Sequence, residues 1–357
     1  MKKLLSTILS GVMMVSLLAG CGNSGSGTNT GSSTNPGAST SNSQAAGNAT
    51  TILQLGHVNP STDTDNLQYT CLAFAKKLED LSGGTIQVKI SGDSQLGTDR
   101  EMIEGMQMGT VDMVLCMNSS LGAFISKFQV FDLPYMFENR NQVYGVFDDN
   151  ELMGPLKEQL YNETGIVMLG MVDNGFRNCL NNIKPINNID DIKGLKLRLP
   201  ENAVWSACFT AFGASPTTMA FSEVYTACQQ GTVDGFELPI ASTYSGSYWE
   251  VCKYYSLTEH LFTALDLCMS GMTWDSFTEE QQRWIQESAD YAVAQNRDYI
   301  QQVEDGWLTE IGEHMEVNTC ADKSALISAA QGVYADYADE IGQELLESVM
   351  DKITSIQ

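Results

Sequence analysis

Two arginines raise the first chemical question in this sequence. Arg198 sits in GLKLRLP and Arg177 in NGFRN, each in or beside a strand-like run with apolar neighbours. A guanidinium in such a place needs a partner, because an unpaired buried charge is very costly. Its planar fork suits a carboxylate, held through two charge-assisted hydrogen bonds. The pattern leaves open whether that carboxylate comes from the protein or from a ligand. The other arginines have plainer readings. Arg100 stands between Asp99 and Glu101 and is expected to pair locally. Arg140, in FENRNQ, is expected at the surface, and Arg283 and Arg297 on a long polar helix, solvated or paired at the surface.

Catalytic chemistry leaves no comparable mark. His57, His260 and His314 fall in no H-E-x-x-H, and no nucleophile elbow, P-loop or dinucleotide fingerprint occurs. STDTDN resembles the start of a calcium loop without its later glycine and glutamate, so a helix cap is expected there, from Asp63 or Thr64. His57 follows a strand pattern and is a candidate ligand contact. Of nine cysteines, Cys21 stands apart, and the other eight are scattered without a C-x-x-C pair. They read as buried small hydrophobes, and neither a metal nor a cofactor is expected. An extracellular location would permit disulfides, but spacing alone pairs none of them.

At 357 residues the chain has room for two domains. Its net charge of -25 argues against nucleic acid as a partner, since nothing would neutralise phosphates. The same field repels anions at long range, so an anionic ligand must be held by local groups in a cleft.

The N-terminus reads as an address. Lys2 and Lys3 precede an apolar run from Leu4 to Ala19, and Leu18-Ala19-Gly20-Cys21 has the layout of a bacterial lipobox. Residues 1–21 are therefore expected to be a lipoprotein signal peptide, with Cys21 carrying lipid. Residues 22–49, almost all Gly, Ser, Thr, Asn and Ala, form a tether that cannot bury a core. The remainder is expected outside the cytoplasmic membrane, held to it but not through it.

The folded part must position Arg177 and Arg198. TILQLGHV is a strand pattern. Leu67, Cys71, Phe74, Leu78 and Leu81 then mark one helix face, stopped by Gly83-Gly84. TIQVKI, DREMIEGMQMGT and VDMVLC continue as strand, helix and strand, an order that predicts an α/β fold with helices packed on a largely parallel sheet. GIVMLGMV, GLKLRLP and VDGFELP add strand patterns, and FSEVYTACQQGT a helix ended by Gly231. Near the end one long amphipathic helix opens at Thr278 with a capping box to Gln281, its stripe running from Ile285 to Ile311.

Eight stretches now stand in order: LGHVNPSTD, FAKKLEDLSGGTIQVKI, SQLGTDREMIEGMQMGTVDM, FDLPYMF, NGFRN, DIKGLKLRLP, GASPTTMAFSEVYTACQQGTVDGFE and YWEVCKYYSLTEH. Together they resemble the extracytoplasmic solute-binding subunits of tripartite ATP-independent periplasmic (TRAP) transporters, from about Leu55 to the long helix. The resemblance implies a two-lobed clamshell like other periplasmic binding proteins, with a long C-terminal connecting helix. Its first lobe would span 50–174, its second 175–263, with 264–357 returning to the first. It implies that Arg198 pairs with the ligand carboxylate, that Arg177 assists, and that Phe221 lines the pocket. Asp99 would lie near the cleft, and Met117, Asn118 and Ser119 would wall the first lobe. Trp205 and Glu237 are further candidates, Trp205 equally readable as core and Glu237 as a hinge residue. Many relatives read DGQEN where this chain has DGFEL, so Leu238 removes an amide from the pocket wall. The implied function is capture of an organic acid, a uronate or aldonate ahead of a C4-dicarboxylate, and delivery to membrane permease subunits. A surface enzyme acting on an acidic sugar and a ligand sensor are the competing readings.

Overall fold

A computed structural model describes residues 50–356. Nine strands occur among the described residues: β1 (Thr51–Gly56), β2 (Ile86–Ser91), β3 (Met113–Met117), β4 (Ile166–Asn181), β5 (Lys196–Leu199), β6 (Ser215–Thr218), β7 (Gly235–Pro239), β8 (Tyr254–Ser270) and β9 (Glu316–Thr319). They form one mixed sheet in the order β2–β1–β3–β8–β4–β7–β5–β6, with β9 beside β8. The sheet works as two halves. β1, β2 and β3 are parallel, and β3 pairs antiparallel with the Leu265–Met269 end of β8. β5, β6 and β7 are parallel in the other half, where β7 pairs antiparallel with Arg177–Asn181 of β4.

Only β4 and β8 run through both halves. The strand pattern GIVMLGMV continues without interruption through NGFRNCL, and the two stretches form one strand of 16 residues, Ile166–Asn181. Its pairing with β8 slips at Met168/Gly170, Asp173/Gly175 and Arg177/Cys179. At the last slip two steps on β4 correspond to five on β8, from Leu261 to Ser256. Glu259, inside that bulge, has φ 46°. Gly175 has φ 96°, and a Cβ there would meet Glu304 Oε1 at 3.1 Å, so this position requires glycine. Bulges concentrate bending where a strand leaves one half for the other.

The helices form for local reasons. The helix Asn66–Ser82 is capped by Asp65, whose carboxylate accepts from the Leu67 and Gln68 amides, rather than by Asp63 or Thr64. It ends at Gly83 with φ 60°, which only glycine adopts freely. Leu67, Cys71, Phe74 and Leu78 are buried on the face that meets the sheet and the helix Glu279–His314. That 36-residue helix starts at the Thr278–Gln281 capping box and packs along β4, the Asn66–Ser82 helix and the Ile240–Ser245 helix. It thus touches elements of both halves. Asn296, midway along it and fully buried, accepts from the Asp173 amide at 2.9 Å and donates to Asn66 Oδ1 at 2.6 Å. β9, which follows the long helix, lies parallel to Tyr254–Leu257 of β8, in the half that carries β7.

Arg140 differs from its expected surface role. It binds the buried Asp173 at 2.7 Å and Glu304 at 2.8 Å, tying β4 to the long helix. The sequence gives no hint of this, because the two acids lie 33 and 164 residues away. Arg297 is paired at the surface, as expected: it forks onto Asp148 at 2.7 and 2.8 Å and lies over the Tyr144 ring at 4.2 Å.

Candidate ligand-binding site

A cavity of about 670 Å³ opens between the two halves of the sheet. One wall comes from the segments that follow β1, β2 and β3: Val58, Ser94, Thr98–Arg100, Met117, Ser119 and Ser120. The other comes from the segments that follow β5 and β6: Pro200–Ala203 and Met219–Ser222, joined by Arg198. These are the carboxyl ends of parallel strands, where open α/β sheets bind ligands. A smaller recess leads on past Arg177, Arg198, Asn174, Phe221, Leu238 and Ser242.

The two arginines separate clearly here. Arg177 is 1% exposed and fully occupied. Its Nε and Nη2 bind the two carboxylate oxygens of Glu237, Nη2 to Oε1 at 2.8 Å, and Nη2 also donates to the Glu237 carbonyl at 2.7 Å. Nη1 donates to Thr263 Oγ1 at 3.1 Å, and the guanidinium lies 4.8 Å from the Trp205 ring centroid. Arg198, on β5, is 2% exposed, yet its Nε and Nη2 reach only the Met219 carbonyl, at 3.0 and 2.6 Å. No carboxylate lies within ion-pair distance of it among the described residues. Burial pulls its pKa down to about 10, while Glu237 pulls it up and Arg177 down. It therefore keeps its charge at neutral pH, with one edge of the guanidinium turned to the cavity.

Asp99 begins the helix Asp99–Gln107 and lines both the cavity and the recess. Burial raises its pKa to about 6, opposed by the Met117 amide, Ser120 and Arg198. Its Oδ1 has no hydrogen-bond partner. Phe221, in a one-turn 3-10 helix, lines both spaces and packs edge-on against Tyr248 at 6.3 Å. Leu238 faces the recess and makes that part of the wall apolar.

The other expected contacts lie elsewhere. Trp205 is 3% exposed and sits beneath Arg177, with Nε1 donating to the Asp132 carbonyl at 3.1 Å. It is core, because helix Ala203–Ala211 turns it inward. Glu237 is completely buried and serves Arg177 and His260 rather than the cavity. Asn118 is buried, its amide donating to the Phe128 carbonyl at 3.1 Å, while Met117 and Ser119 line the wall. His57 is buried against Gln68 at 2.8 Å; its neighbour Val58 reaches the cavity instead. Arg100 pairs with Glu104 at 3.1 Å rather than with Asp99 or Glu101, because residues four apart share a helix face.

Asn174, Asn202, Thr218 and Ser242 were not singled out from the sequence. No local signature marks them. Asn202 and Thr218 could have been suspected from their place at the ends of β5 and β6. Asn202 also donates to Asp132 Oδ2 at 2.9 Å across the cleft wall.

Asp132 and Asp99 give the unliganded protein a pH dependence. Burial raises the Asp132 pKa to about 7, with Asn202 and Arg177 pulling the other way. Both carboxyls normally titrate near 3.8, so the folded protein holds their protons at pH values where the unfolded chain has lost them. This contribution to stability is complete below that value and is lost as pH rises through 6 and 7. Urea unfolding from pH 5 to pH 8 should therefore show Asp132→Asn gaining on wild type as pH rises. A stability difference independent of pH would contradict the assignment.

Residues 55–340 match the family model described as "Bacterial extracellular solute-binding protein, family 7". A solute-binding protein of Verminephrobacter eiseniae is 29% identical over 297 residues, covering 82% of this chain and 87% of that protein. A TRAP periplasmic solute-binding protein from Polaromonas sp. JS666, solved bound to D-erythronate, aligns with TM-score 0.80 and 31% identity over 84% of this chain and 98% of its own. The sugar acid binding protein of Advenella mimigardefordensis, solved with galactonate, aligns with TM-score 0.83 and 27% identity over 87% of this chain and 99% of its own.

Proposed function

Because the chain belongs to family 7 of the bacterial extracellular solute-binding proteins, the solute-binding subunits of TRAP transporters, we propose that it captures a sugar acid by its carboxylate and delivers it to membrane permease subunits. One observation carries this reading: Arg198 is buried at the cleft with no carboxylate of the protein's own in contact among the described residues. A ligand carboxylate supplies the missing partner. Closure of the two lobes then removes water and strengthens the pair. We assign 50–174 and 175–263 to the two lobes and 264–357 to the return into the first, apart from β9, which lies in the half that carries β7, with β4 and β8 as the hinge strands.

The ligand class follows from the charges and the wall. Arg177 is neutralised by Glu237 and Arg100 is engaged by Glu104, which leaves Arg198 as the cation for one carboxylate. Ser119, Ser120, Asn202, Thr218 and Ser222 offer hydroxyl and amide groups suited to a polyol chain. A uronate or aldonate fits this better than a C4-dicarboxylate, whose second carboxylate would lack a free cation. The relatives solved with D-erythronate and galactonate support the same class. The role is binding without turnover, and Arg198 and Asp99 stand as ligand contacts rather than as an acid–base pair.

A thermal-shift panel of uronates, aldonates, dicarboxylates and uncharged sugars tests the reading. A ligand at a hundred times its Kd stabilises by about 2.7 kcal/mol, a shift of a few degrees. Sugar acids should move the melt and uncharged sugars should not. Equal shifts from uncharged sugars would end the carboxylate assignment.

Cys21 lies outside the described residues. We assign it the lipid anchor, with residues 22–49 as the tether. Cys21→Ser should release the protein from the membrane fraction into the soluble one. Retention of the variant at the membrane would refute the anchor.

A further inference from the structure

We propose that Cys228 and Cys252 are joined by a disulfide in the protein's extracytoplasmic setting. The two Sγ atoms lie 3.3 Å apart. Cys228 is the fifth residue of the short helix Val224–Gln229, and Cys252 directly follows the turn Tyr248–Val251. Both side chains are 3% exposed and face the same small core as Val224, Tyr248 and Val251. An S–S bond needs about 2.05 Å. Neither cysteine lies in the sheet ladder, so the remaining approach requires only a small shift of a short surface helix.

The polar contacts around the pair are compatible with the bond. Cys228 Sγ meets the Val251 carbonyl at 3.3 Å, and Asn182 Nδ2 lies 3.5 Å from the same sulfur. Asn182 keeps its own bond to the Val251 carbonyl at 2.6 Å when the thiol proton is gone. A hydrogen bond from the Cys252 thiol lowers the Cys228 pKa, and either sulfur of the pair can serve as the first attacking thiolate.

The other neighbouring cysteines are held differently. On β3 and β8, Cys116 stands opposite Asp266 and Cys268 opposite Val114, a diagonal placement in a fixed antiparallel ladder. Their thiols also meet, but diagonal partners have backbones roughly 7–8 Å apart, beyond the usual reach of a disulfide. Cys116 and Cys268 therefore serve as an internal control.

The oxidant is a low-molecular-weight disulfide such as oxidised glutathione. Local opening of the short helix admits it. With Cys228 first, its thiolate attacks one glutathione sulfur and expels a glutathione thiolate. The Cys252 thiolate then attacks Cys228 Sγ in the mixed disulfide and expels the second. Two electrons pass from the protein to glutathione, and the two cysteine protons end on the two glutathione thiols. The bond ties the helix that follows Phe221 to the start of β8, bracing one wall of the cleft. It does not depend on which acid the cleft takes.

The test treats the full-length chain, in detergent and under native conditions, with oxidised or reduced glutathione. Free thiols are then alkylated and the chain is digested without reduction for peptide mapping. A linked Cys228–Cys252 peptide is expected in the oxidised sample, together with a melting temperature several degrees above the reduced sample. Both effects should vanish in Cys228→Ser and in Cys252→Ala, either of which suffices if the other fails to fold. The proposal is overturned if the pair stays alkylated, if Cys116–Cys268 links equally well, or if oxidation leaves the melt unchanged.

Discussion

Arg198→Ala should weaken binding of the cognate acid by about 2–5 kcal/mol, roughly thirtyfold to several thousandfold in Kd. The loss is large because the ligand carboxylate would enter a closed cleft with no cation to meet it. Arg198→Lys should recover only part of it. Lysine restores the charge but lacks the fork that binds the Met219 carbonyl and a carboxylate together. Stability of the unliganded protein should behave oppositely. Arg198 is a buried charge without a countercharge in contact, so its removal relieves a desolvation cost while losing hydrogen bonds to one carbonyl. The two effects oppose each other, and the unfolding free energy should move by no more than about 1 kcal/mol. Titration calorimetry and urea unfolding on the same preparation decide the matter. Unchanged affinity, or a collapse of stability with affinity intact, would make Arg198 a structural residue.

For Arg177 and Glu237 the expected effects are reversed, and they fall mainly on stability. Both side chains are essentially inaccessible, and they share two carboxylate contacts and a carbonyl bond. Removing one partner strands a buried charge. Glu237→Leu or Arg177→Met should each cost about 3–5 kcal/mol of unfolding free energy. The double substitution removes both charges and should be much less damaging than the sum of the two, since apolar replacements of a buried pair are often tolerated. Trp205 below and Thr263 beside Arg177 set the shape to be filled. Midpoints of urea unfolding for the four proteins complete the cycle. Additive single losses would mean that Arg177 and Glu237 do not act as a pair. Glu237 also contacts His260 Nε2 at 3.5 Å, and burial with Arg177 nearby keeps that imidazole pKa low. The cluster joins β4, β7 and β8 where the sheet passes between its halves. The pair therefore ties these three strands together, while Arg198 has no carboxylate in contact among the described residues.

Much of this protein was legible in the sequence because its causes are local. A capping box needs residues three apart, so Thr278 with Gln281 announced the long helix. Gly83 and Gly231 closed helices because glycine reaches positive φ at little cost. The alternation in Lys196–Leu199 placed Leu197 and Leu199 in the core and Arg198 on the other face. The order of strands and helices specified the α/β class, and eight motifs in register pointed to the family. Partnership between distant charges was not legible. In the pairing of β4, β7 and β5, Glu237 stands opposite Cys179, and Arg198 opposite Phe236. Side chains alternate faces along a strand. Arg177, two residues from Cys179, therefore shares a face with Glu237, while Arg198 shares its face with Phe236. One residue of register on β7 separates an arginine paired with a carboxylate of the protein from one that reaches only a backbone carbonyl. Residue types alone made Arg177 and Arg198 look alike; strand pairing distinguished them, because an ion pair depends on distance in space and not on spacing along the chain.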